Sequence, residues 1–241
     1  MRFTGTFVVV VALFITVLIV SNIIAVRTIT ILPIENLFSI QWFGDPAIIL
    51  PASIIIFPIS YIVGDVLTEV YGFRIARGVI WLGFAMNLLV VIALWVAGII
   101  PGAFFWGESD QASYDRILGQ VPGILVASFI AYLVGEFSNS TVLALLKYKM
   151  QGRLLFVRTI GSTIVGQGLD SFIFIFIAFG VFSDWSGTAL LGAALAQWIV
   201  KILYESAATP LTYLVVNFMK RKEEMDVTDV PRSLNPLGIF T

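Results

Sequence analysis

Long apolar segments separated by short polar stretches run through most of the chain. A helix that crosses a bilayer needs about 20 largely apolar residues. Six stretches meet that requirement, near residues 7–26, 46–66, 76–99, 120–146, 157–183 and 189–218. The pattern predicts an all-α membrane protein, a single membrane domain over residues 1–241 that forms one bundle of six transmembrane helices. The last part of the chain, 219–241, is predicted to be a charged tail outside the bilayer.

The second segment and the loop before it depart from a simple helix pattern. Pro46, Pro51 and Pro58 all fall in the second segment, and proline inside a helix removes a backbone hydrogen bond. We therefore expect this segment to be bent. The preceding loop, 27–45, is too apolar for a flexible linker, which leaves two interpretations open: a short hairpin or lid, or a loop in the membrane interface with Trp42 at headgroup level.

The positions of Lys and Arg predict the orientation of the bundle. One side collects 11 basic residues and the other has two, Arg27 and Arg116, if the six segments alternate in direction. Basic residues accumulate in cytoplasmic loops. The sequence thus predicts a multi-pass protein of the plasma (inner) membrane, with both termini, the loops 67–77 and 147–157 and the tail in the cytoplasm.

Composition narrows the chemistry that is available. Of the 241 residues, 59% are hydrophobic and 12% are charged, against about 25% charged in soluble domains. Cysteine and histidine are absent, which excludes disulfides, thiol nucleophiles and the usual zinc ligands. We expect no metal, no cofactor and, because the basic residues are few and scattered, no nucleic-acid partner. Proton chemistry would have to use carboxylates.

Polar residues form stripes on the last three predicted helices. Residues three and four apart share a helix face, and an ionisable group at the bilayer centre costs at least about 2.5–3.5 kcal/mol. Asn22 near the end of the first helix adds a further amide. The stripes are Tyr132, Glu136, Asn139 and Ser140; Thr163, Gln167, Asp170 and Ser171; and Gln197, Lys201, Glu205 and Ala208.

These stripes predict a shared, partly hydrated cavity. The stripes contain one cation, Lys201, and three carboxylates, on Glu136, Asp170 and Glu205. With all of them ionised the site carries excess negative charge, which suits a proton, a cationic ligand or a flat ligand with N–H groups. Purely structural roles stay open: Lys201 and Glu205 are four residues apart and would neutralise each other, and Glu136 or Asp170 would anchor helix packing by hydrogen bonds.

A second acidic pair lies at the end of the second segment. Asp65 and Glu69 are four residues apart and near Arg74, Arg77 or Arg158 at the predicted cytoplasmic edge. The set Asp65, Glu69, Arg74 and Arg158 is a candidate for gating or coupling. A helix-end ion pair of modest value is an equally open interpretation.

Four motifs resemble one transporter family. FPISYIVGDVLTEVYGF (57–73), GEFSNSTVLALLK (135–147), RTIGSTIVGQGLDSFIF (158–174) and the spaced Gln197, Lys201, Glu205 and Pro210 are similar to the queuosine precursor transporter family, of the vitamin uptake transporter type. The resemblance covers about residues 10–218. It implies import of 7-deazaguanine bases used in tRNA modification, and a fold similar to the substrate-binding components of energy-coupling-factor transporters.

By the resemblance, the family's polar positions correspond to a set of eight residues, and from their depth and helix face we expect this set to bind the substrate: Asn22, Glu136, Asn139, Gln167, Asp170, Gln197, Lys201 and Glu205. Four aromatic residues are candidates for stacking on the ring, with packing inside the bundle as the leading alternative for each: Tyr132, Phe172, Trp198 and Tyr204. The first helix lacks the small residues four apart that dock such proteins on an ATP-driven subunit. This absence counts against an energising ATPase module, while the sequence leaves a homo-oligomer open.

Three alternatives to a self-sufficient carrier compete with this interpretation. One is the substrate-binding subunit of an ATP-driven vitamin transporter. Another is an intramembrane aspartyl-type enzyme, which Glu136 and Asp170 on adjacent helices would imitate, although no surrounding motif supports it. A purely structural membrane protein is disfavoured by the cost of the buried charges. We expect a transporter and not an enzyme.

Overall fold

A computed structural model of the chain describes residues 4–33, 47–119, 121–181 and 187–230. It is a helical bundle with one short hairpin. Trp42 and residues 231–241 lie outside the described residues, so the predictions that involve them stay predictions. The elements in chain order are α1 Gly5–Ile24, β1 Thr28–Pro33, β2 Ala47–Pro51, α2 Phe57–Tyr71, α3 Phe73–Ile99, α4 Glu108–Tyr114, α5 Val121–Lys149, α6 Leu155–Ala178 and α7 Gly187–Glu223.

Five of these helices are long and apolar enough to cross a bilayer. They are α1, α3, α5, α6 and α7, and many of their large apolar side chains are exposed, as lipid contact requires. The chain is therefore an all-α membrane protein with several spans. Helix α2 has only 15 residues, about 22 Å at 1.5 Å per residue, so the predicted count of six full spans stays a prediction.

The start of α2 differs from the expected segment 46–66. Residues Ala47–Pro51 form a strand, a 3-10 turn follows over Ala52–Ile55, and α2 begins at Phe57. Pro58 lies in the first turn of α2, where the missing N–H has no helical partner to lose. Pro51 and Pro58 therefore mark element boundaries, and the segment is broken into a strand, a 3-10 turn and a helix instead of bending within one helix.

The apolar stretch after α1 contributes to a hairpin, as one of the two interpretations predicted. Strands β1 and β2 pair antiparallel, with Thr28 opposite Pro51 and Ile31 opposite Ile48. The pairing continues one residue beyond the strands, where the N–H of Ala52 donates to the carbonyl of Arg27 at 2.7 Å.

The junction of α2 and α3 is a single glycine. The predicted loop 67–77 does not exist, because α2 continues to Tyr71 and α3 begins at Phe73. Gly72 between them has φ +84, a left-handed conformation that side chains rarely tolerate. This tight turn places the acidic end of α2 directly beside the start of α3.

Both ends of the bundle lie on one side. Thr4 caps α1 by accepting from the N–H of Phe7 at 3.1 Å, and its hydroxyl donates to the carboxylate of Glu223 at 2.7 Å. We call this side the terminal side and the opposite one, with β1 and β2, the hairpin side. Helix α7 has 37 residues with Pro210 inside it, and at about 55 Å it is longer than the bilayer core is thick.

Glycines let α5 and α6 pack closely enough to bring their polar stripes together. A Cβ at Gly135 would lie 2.7 Å from the Tyr61 hydroxyl and 3.0 Å from the carbonyl of Gly166. A Cβ at Gly166 would lie 2.6 Å from the Cβ of Asn139. Because neither helix carries a side chain here, the backbones approach as small residues allow in membrane helices.

Candidate functional site

A cavity lies near the hairpin side of the bundle. Its empty space is about 450 Å³, including its mouth, and its lining comes from α1, the 3-10 turn and α2, α5, α6 and α7. The lining is mixed, with both polar groups and aromatic rings: Ser21, Asn22, Ser53, Phe57, Ser128, Tyr132, Asp170, Phe174, Gln197 and Lys201. Such a mixture fits a small organic ligand with a few polar groups.

One ion pair forms part of the cavity wall. The Lys201 ammonium donates to the carboxylate of Asp170, and it also lies 4.7 Å from the centre of the Phe57 ring. Both charged residues are buried. Lys201 thus pairs across helices with Asp170, and the interpretation that it neutralises Glu205 on its own helix was wrong.

A layer of carboxylates and amides lies one helical turn further toward the terminal side. Glu136 follows Tyr132 on α5 and Glu205 follows Lys201 on α7, each by four residues, or about 6 Å along the helix. Asp65 on α2 accepts a hydrogen bond of 2.7 Å from the Asn139 amide. We call Asp65, Glu136, Asn139, Gln167 and Glu205 the acidic layer.

Most polar atoms of the acidic layer have no protein partner. Both oxygens of Glu136 and Glu205, both polar atoms of the Gln167 amide, and one oxygen each of Asp65 and Asn139 are buried without a hydrogen bond. Glu136, Gln167 and Glu205 are each 0% exposed. A buried polar atom left unpaired costs about 1–3 kcal/mol, so this many at one depth point to exchangeable groups such as protons, water or ligand atoms.

The backbone makes room for Glu136. Gly64 on α2 has no side chain, and a Cβ there would collide with the Glu136 carboxylate. The carboxylate therefore lies against the bare α2 backbone, and a side chain at position 64 would displace it.

A cluster of charges closes the terminal side. The buried carboxylate of Glu69 accepts from Arg158 and, at 2.8 Å, from Lys220, and its third cationic neighbour, Lys147, lies 3.5 Å away. Lys147 also donates to the backbone carbonyl of Glu69 at 2.6 Å. We call Glu69, Lys147, Arg158 and Lys220 the latch, because it joins α2, α5, α6 and α7.

The remaining polar contacts run from the cavity into α3. The Asn22 amide donates to Asn87 at 2.7 Å, and its oxygen accepts from Ser128 at 3.0 Å. Asn22 therefore joins α1, α3 and α5 while also lining the cavity. Between the acidic layer and the latch, the Thr68 hydroxyl donates to the Ser140 hydroxyl at 3.1 Å.

The structure sorts the predicted site residues by depth. Asn22, Asp170, Gln197 and Lys201 line the cavity, while Glu136, Asn139, Gln167 and Glu205 lie in the acidic layer beside Asp65. The binding roles of these residues stay predictions.

The predicted gating set is only partly brought together. Glu69 meets Arg158 in the latch, but Asp65 bonds Asn139 and Arg74 is exposed. Of the predicted stacking residues, Tyr132 lines the cavity. Trp198 instead donates to the carbonyl of Ile164 at 2.9 Å.

Several site residues were missed by the sequence reasoning. Ser128 and Lys147 extend the α5 polar stripe by helical spacing in both directions, so a longer stripe would have found them. Lys220 lies in the range 219–241, which was predicted to be a charged tail, and α7 continues as helix to Glu223. Phe57 and Phe174 gave no signal, because apolar residues abound on every helix.

Comparison with known proteins shows the family of the chain. A family model described as "Putative vitamin uptake transporter" matches residues 51–215. A protein of Bacillus subtilis (strain 168) named "Probable queuosine precursor transporter" is 26% identical over 160 residues, which cover 66% of this chain and 68% of that protein. No solved structure matches the chain. The matched range contains the latch residues of α2, α5 and α6, the acidic layer and most of the cavity lining, and the chain belongs to the vitamin uptake transporter family.

Proposed function

We propose that this transporter imports 7-deazaguanine precursors of queuosine, such as the 7-cyano and 7-aminomethyl bases, across the plasma (inner) membrane. The observation that carries the proposal is the Asp170–Lys201 pair in the wall of a cavity that lies above unpartnered buried carboxylates and amides. The relative named as a queuosine precursor transporter supports the choice of substrate.

The cavity has the hydrogen-bonding groups that a deazaguanine needs. Such a base presents an N1–H and a 2-amino group side by side, which the Asp170 carboxylate would accept together, and a carbonyl, which the Lys201 ammonium would satisfy. The Gln197 amide offers both a donor and an acceptor. The rings of Phe57 and Phe174 in the lining supply flat apolar surface for the base.

The acidic layer supports coupling to protons. Asp65, Glu136 and Glu205 lie within electrostatic reach of one another, and Tyr61 and Tyr132 face Glu136. Lys201 is engaged by Asp170 one turn away. Moving three ionised carboxylates from water into such a site costs several kcal/mol each, so protons that bind and leave here would link the state of the cavity to a proton gradient.

The latch supports the role of an inner gate. It closes the side that carries the excess of Lys and Arg, which favours a cytoplasmic location for it and for both termini. A substrate would enter the cavity from the hairpin side and leave after Glu69, Lys147, Arg158 and Lys220 separate. The gate residues thus lie at the opposite end of the bundle from the cavity mouth.

Binding by purified protein tests the substrate assignment. Asp170→Asn removes a charged acceptor, and a hydrogen bond to a charged group is worth about 1.5–3 kcal/mol. The Kd for a 7-deazaguanine base should rise about 10- to 150-fold. Glu108→Gln, which changes an exposed carboxylate on α4, is the control and should bind normally. Binding that is unaffected by Asp170→Asn would exclude this cavity as the site.

Uptake into liposomes that contain only this protein tests the driving force. Wild-type uptake should rise with an imposed proton gradient and need no ATP. Glu205→Gln should keep Kd within about threefold, a change below ~0.7 kcal/mol, yet lose the response to the gradient. Uptake that requires an added ATPase module would instead favour a substrate-binding subunit of an ATP-driven transporter.

A further inference from the structure

The segment that follows α7 returns to the bundle and packs against the latch. Residues 224–230 follow the end of α7 without forming a helix or a strand, and we call them the strap. Glu224 at its start has φ 51, a left-handed conformation that turns the chain out of the helix axis. The strap lies beyond residues 51–215, the range that the family model matches.

The strap contacts two different parts of the bundle. Asp226 accepts hydrogen bonds from Lys147 at 2.6 Å and forms an ion pair with Lys220 at 2.9 Å. Val227 accepts from Lys147 at 2.6 Å through its carbonyl and donates its N–H to the carbonyl of Val70 at 3.3 Å. These contacts bind α5, α7 and the end of α2 together.

A third contact fixes the strap to the tight turn between α2 and α3. The Asp229 carboxylate accepts from the N–H of Phe73 at 2.7 Å. This N–H belongs to the first turn of α3, where helical donors have no partner of their own and favour a negative charge. The Val227 side chain lies over Gly72, where an added Cβ would come within 2.7 Å of it. The turn is thus both capped and covered by the strap.

Charge explains why the latch needs this segment. Glu69 alone faces Lys147, Arg158 and Lys220, which leaves two positive charges in excess. Asp226 reduces the excess to one and bridges the two lysines. Like charges held close together repel one another, and because Lys147 is 3% exposed while Lys220 and Asp226 are 20% and 57% exposed, water screens this repulsion only in part. Without Asp226 the lysines therefore favour separation, which is the movement that opens the terminal side.

We propose that the strap is a closing element of the terminal side: it holds the latch shut, and it must detach from Lys147, Lys220 and the α2–α3 turn before the cavity can open there. This inference concerns a conformational device in the chain's own tail. It goes beyond the proposed substrate, since it applies to any cargo of the cavity.

Asp226 is suited to hold the strap at all physiological pH values. Its burial raises the pKa, but hydrogen bonds and charges from Lys147 and Lys220 together outweigh this and lower the pKa below its usual 3.8. A carboxylate with a depressed pKa stabilises the folded state above its usual pKa and loses that contribution as the pH falls through the depressed value. The strap should therefore not respond to pH between about 5 and 8.

A single reporter cysteine tests the proposal without any substrate. The chain has no cysteine, so Ser140→Cys supplies one reactive thiol at a buried position between the acidic layer and the latch. A charged, membrane-impermeant thiol reagent is applied to membrane vesicles from the terminal side. Asp226→Asn should speed labelling by about tenfold or more, the factor that ~1.4 kcal/mol provides. Reagent applied from the hairpin side should label both proteins equally.

Two further variants keep the test decisive. Glu224→Gln removes one negative charge from an exposed neighbour of Asp226 and should leave the labelling rate unchanged. Asp229→Ala removes the acceptor for the N–H of Phe73 and leaves the contacts of Lys147 and Lys220 intact. It should also speed labelling, and it tests the proposal even if Asp226→Asn does not fold. Rates that stay within about twofold of the parent, or an equal increase with Glu224→Gln, would overturn the proposal. Because no substrate is present, this outcome is independent of whether deazaguanine import is correct.

Discussion

Removing the Glu69 carboxylate should destabilise the whole bundle. Glu69→Gln keeps the shape of the side chain and deletes the one anion that Arg158, Lys147 and Lys220 share. Arg158 and Lys147 are only 1% and 3% exposed, so water cannot replace the lost partner.

The expected size of the effect follows from this burial. Breaking a buried ion pair by removing one partner costs about 3–5 kcal/mol, because the other charge stays buried. For a chain of this size 1 kcal/mol corresponds to about 2–4 °C in Tm, so Tm should fall by about 6–20 °C. The Arg158 bonds to the carbonyls of Arg153 and Gly152 remain, which places the expectation toward the lower half of that range.

Thermal unfolding of the purified protein in detergent measures the effect. Arg74→Gln is the matched control, since Arg74 is exposed on the same side of the bundle, and exposed substitutions stay within about 0.5 kcal/mol. Adding Arg158→Met to Glu69→Gln should recover part of the loss, because no uncompensated guanidinium is then left. A Tm for Glu69→Gln that equals the Arg74→Gln value would refute the latch as a stabilising cluster.

Three further predictions concern packing and pH. Gly64→Ala should lower gradient-driven uptake, because its Cβ would displace the Glu136 carboxylate. Gly135→Ala should lower the free energy of unfolding by about 1–3 kcal/mol through overpacking. Gly78→Ala, whose Cβ would meet nothing within 4 Å, is the control and should stay within about 1 kcal/mol of the parent. Thermal unfolding compares the two. The ratio of the labelling rate of Asp226→Asn to that of the parent, both carrying Ser140→Cys, should not change between about pH 5 and 8, because Asp226 is ionised throughout and the ratio cancels the pH dependence of the thiol's own reactivity.

The helices and the buried polar residues were predictable because both rest on strong local signals. A run of about 20 apolar residues has few structural alternatives, and Glu136, Asp170 and Glu205 stand out because charge inside such a run is costly. Helical spacing placed these residues on inward faces without any knowledge of the tertiary packing. Lys201 pointed inward as predicted, but its partner was not predictable, since Asp170 lies on another helix.

The start of α2 and the strap were not predictable for different reasons. A proline such as Pro58 is favoured in the first turn of a helix but breaks or kinks a helix interior, so its effect depends on where the helix begins. Hydropathy alone does not separate β2 from the helix that follows it. The strap has no apolar periodicity, and its order depends on Lys147 and Phe73, which are 79 and 156 residues away from their partners in sequence. Long-range contacts of this kind leave no local pattern.

The contacts of the latch indicate the order in which they break when the terminal side opens. Lys147 is bound at once by Glu69 and by the strap, whereas Arg158 contacts Glu69 and its own helix start. Helices α5 and α6 are held together by the Gly135–Gly166 contact, so they are expected to move as a unit, and Arg158 moves with them. Separation of α7 from that unit must break the bridge that Asp226 makes between Lys147 and Lys220. If the strap holds the latch shut, it therefore detaches before Glu69 separates from its three cations. A variant that weakens only the contacts of Glu69 should lower stability while the strap stays bound.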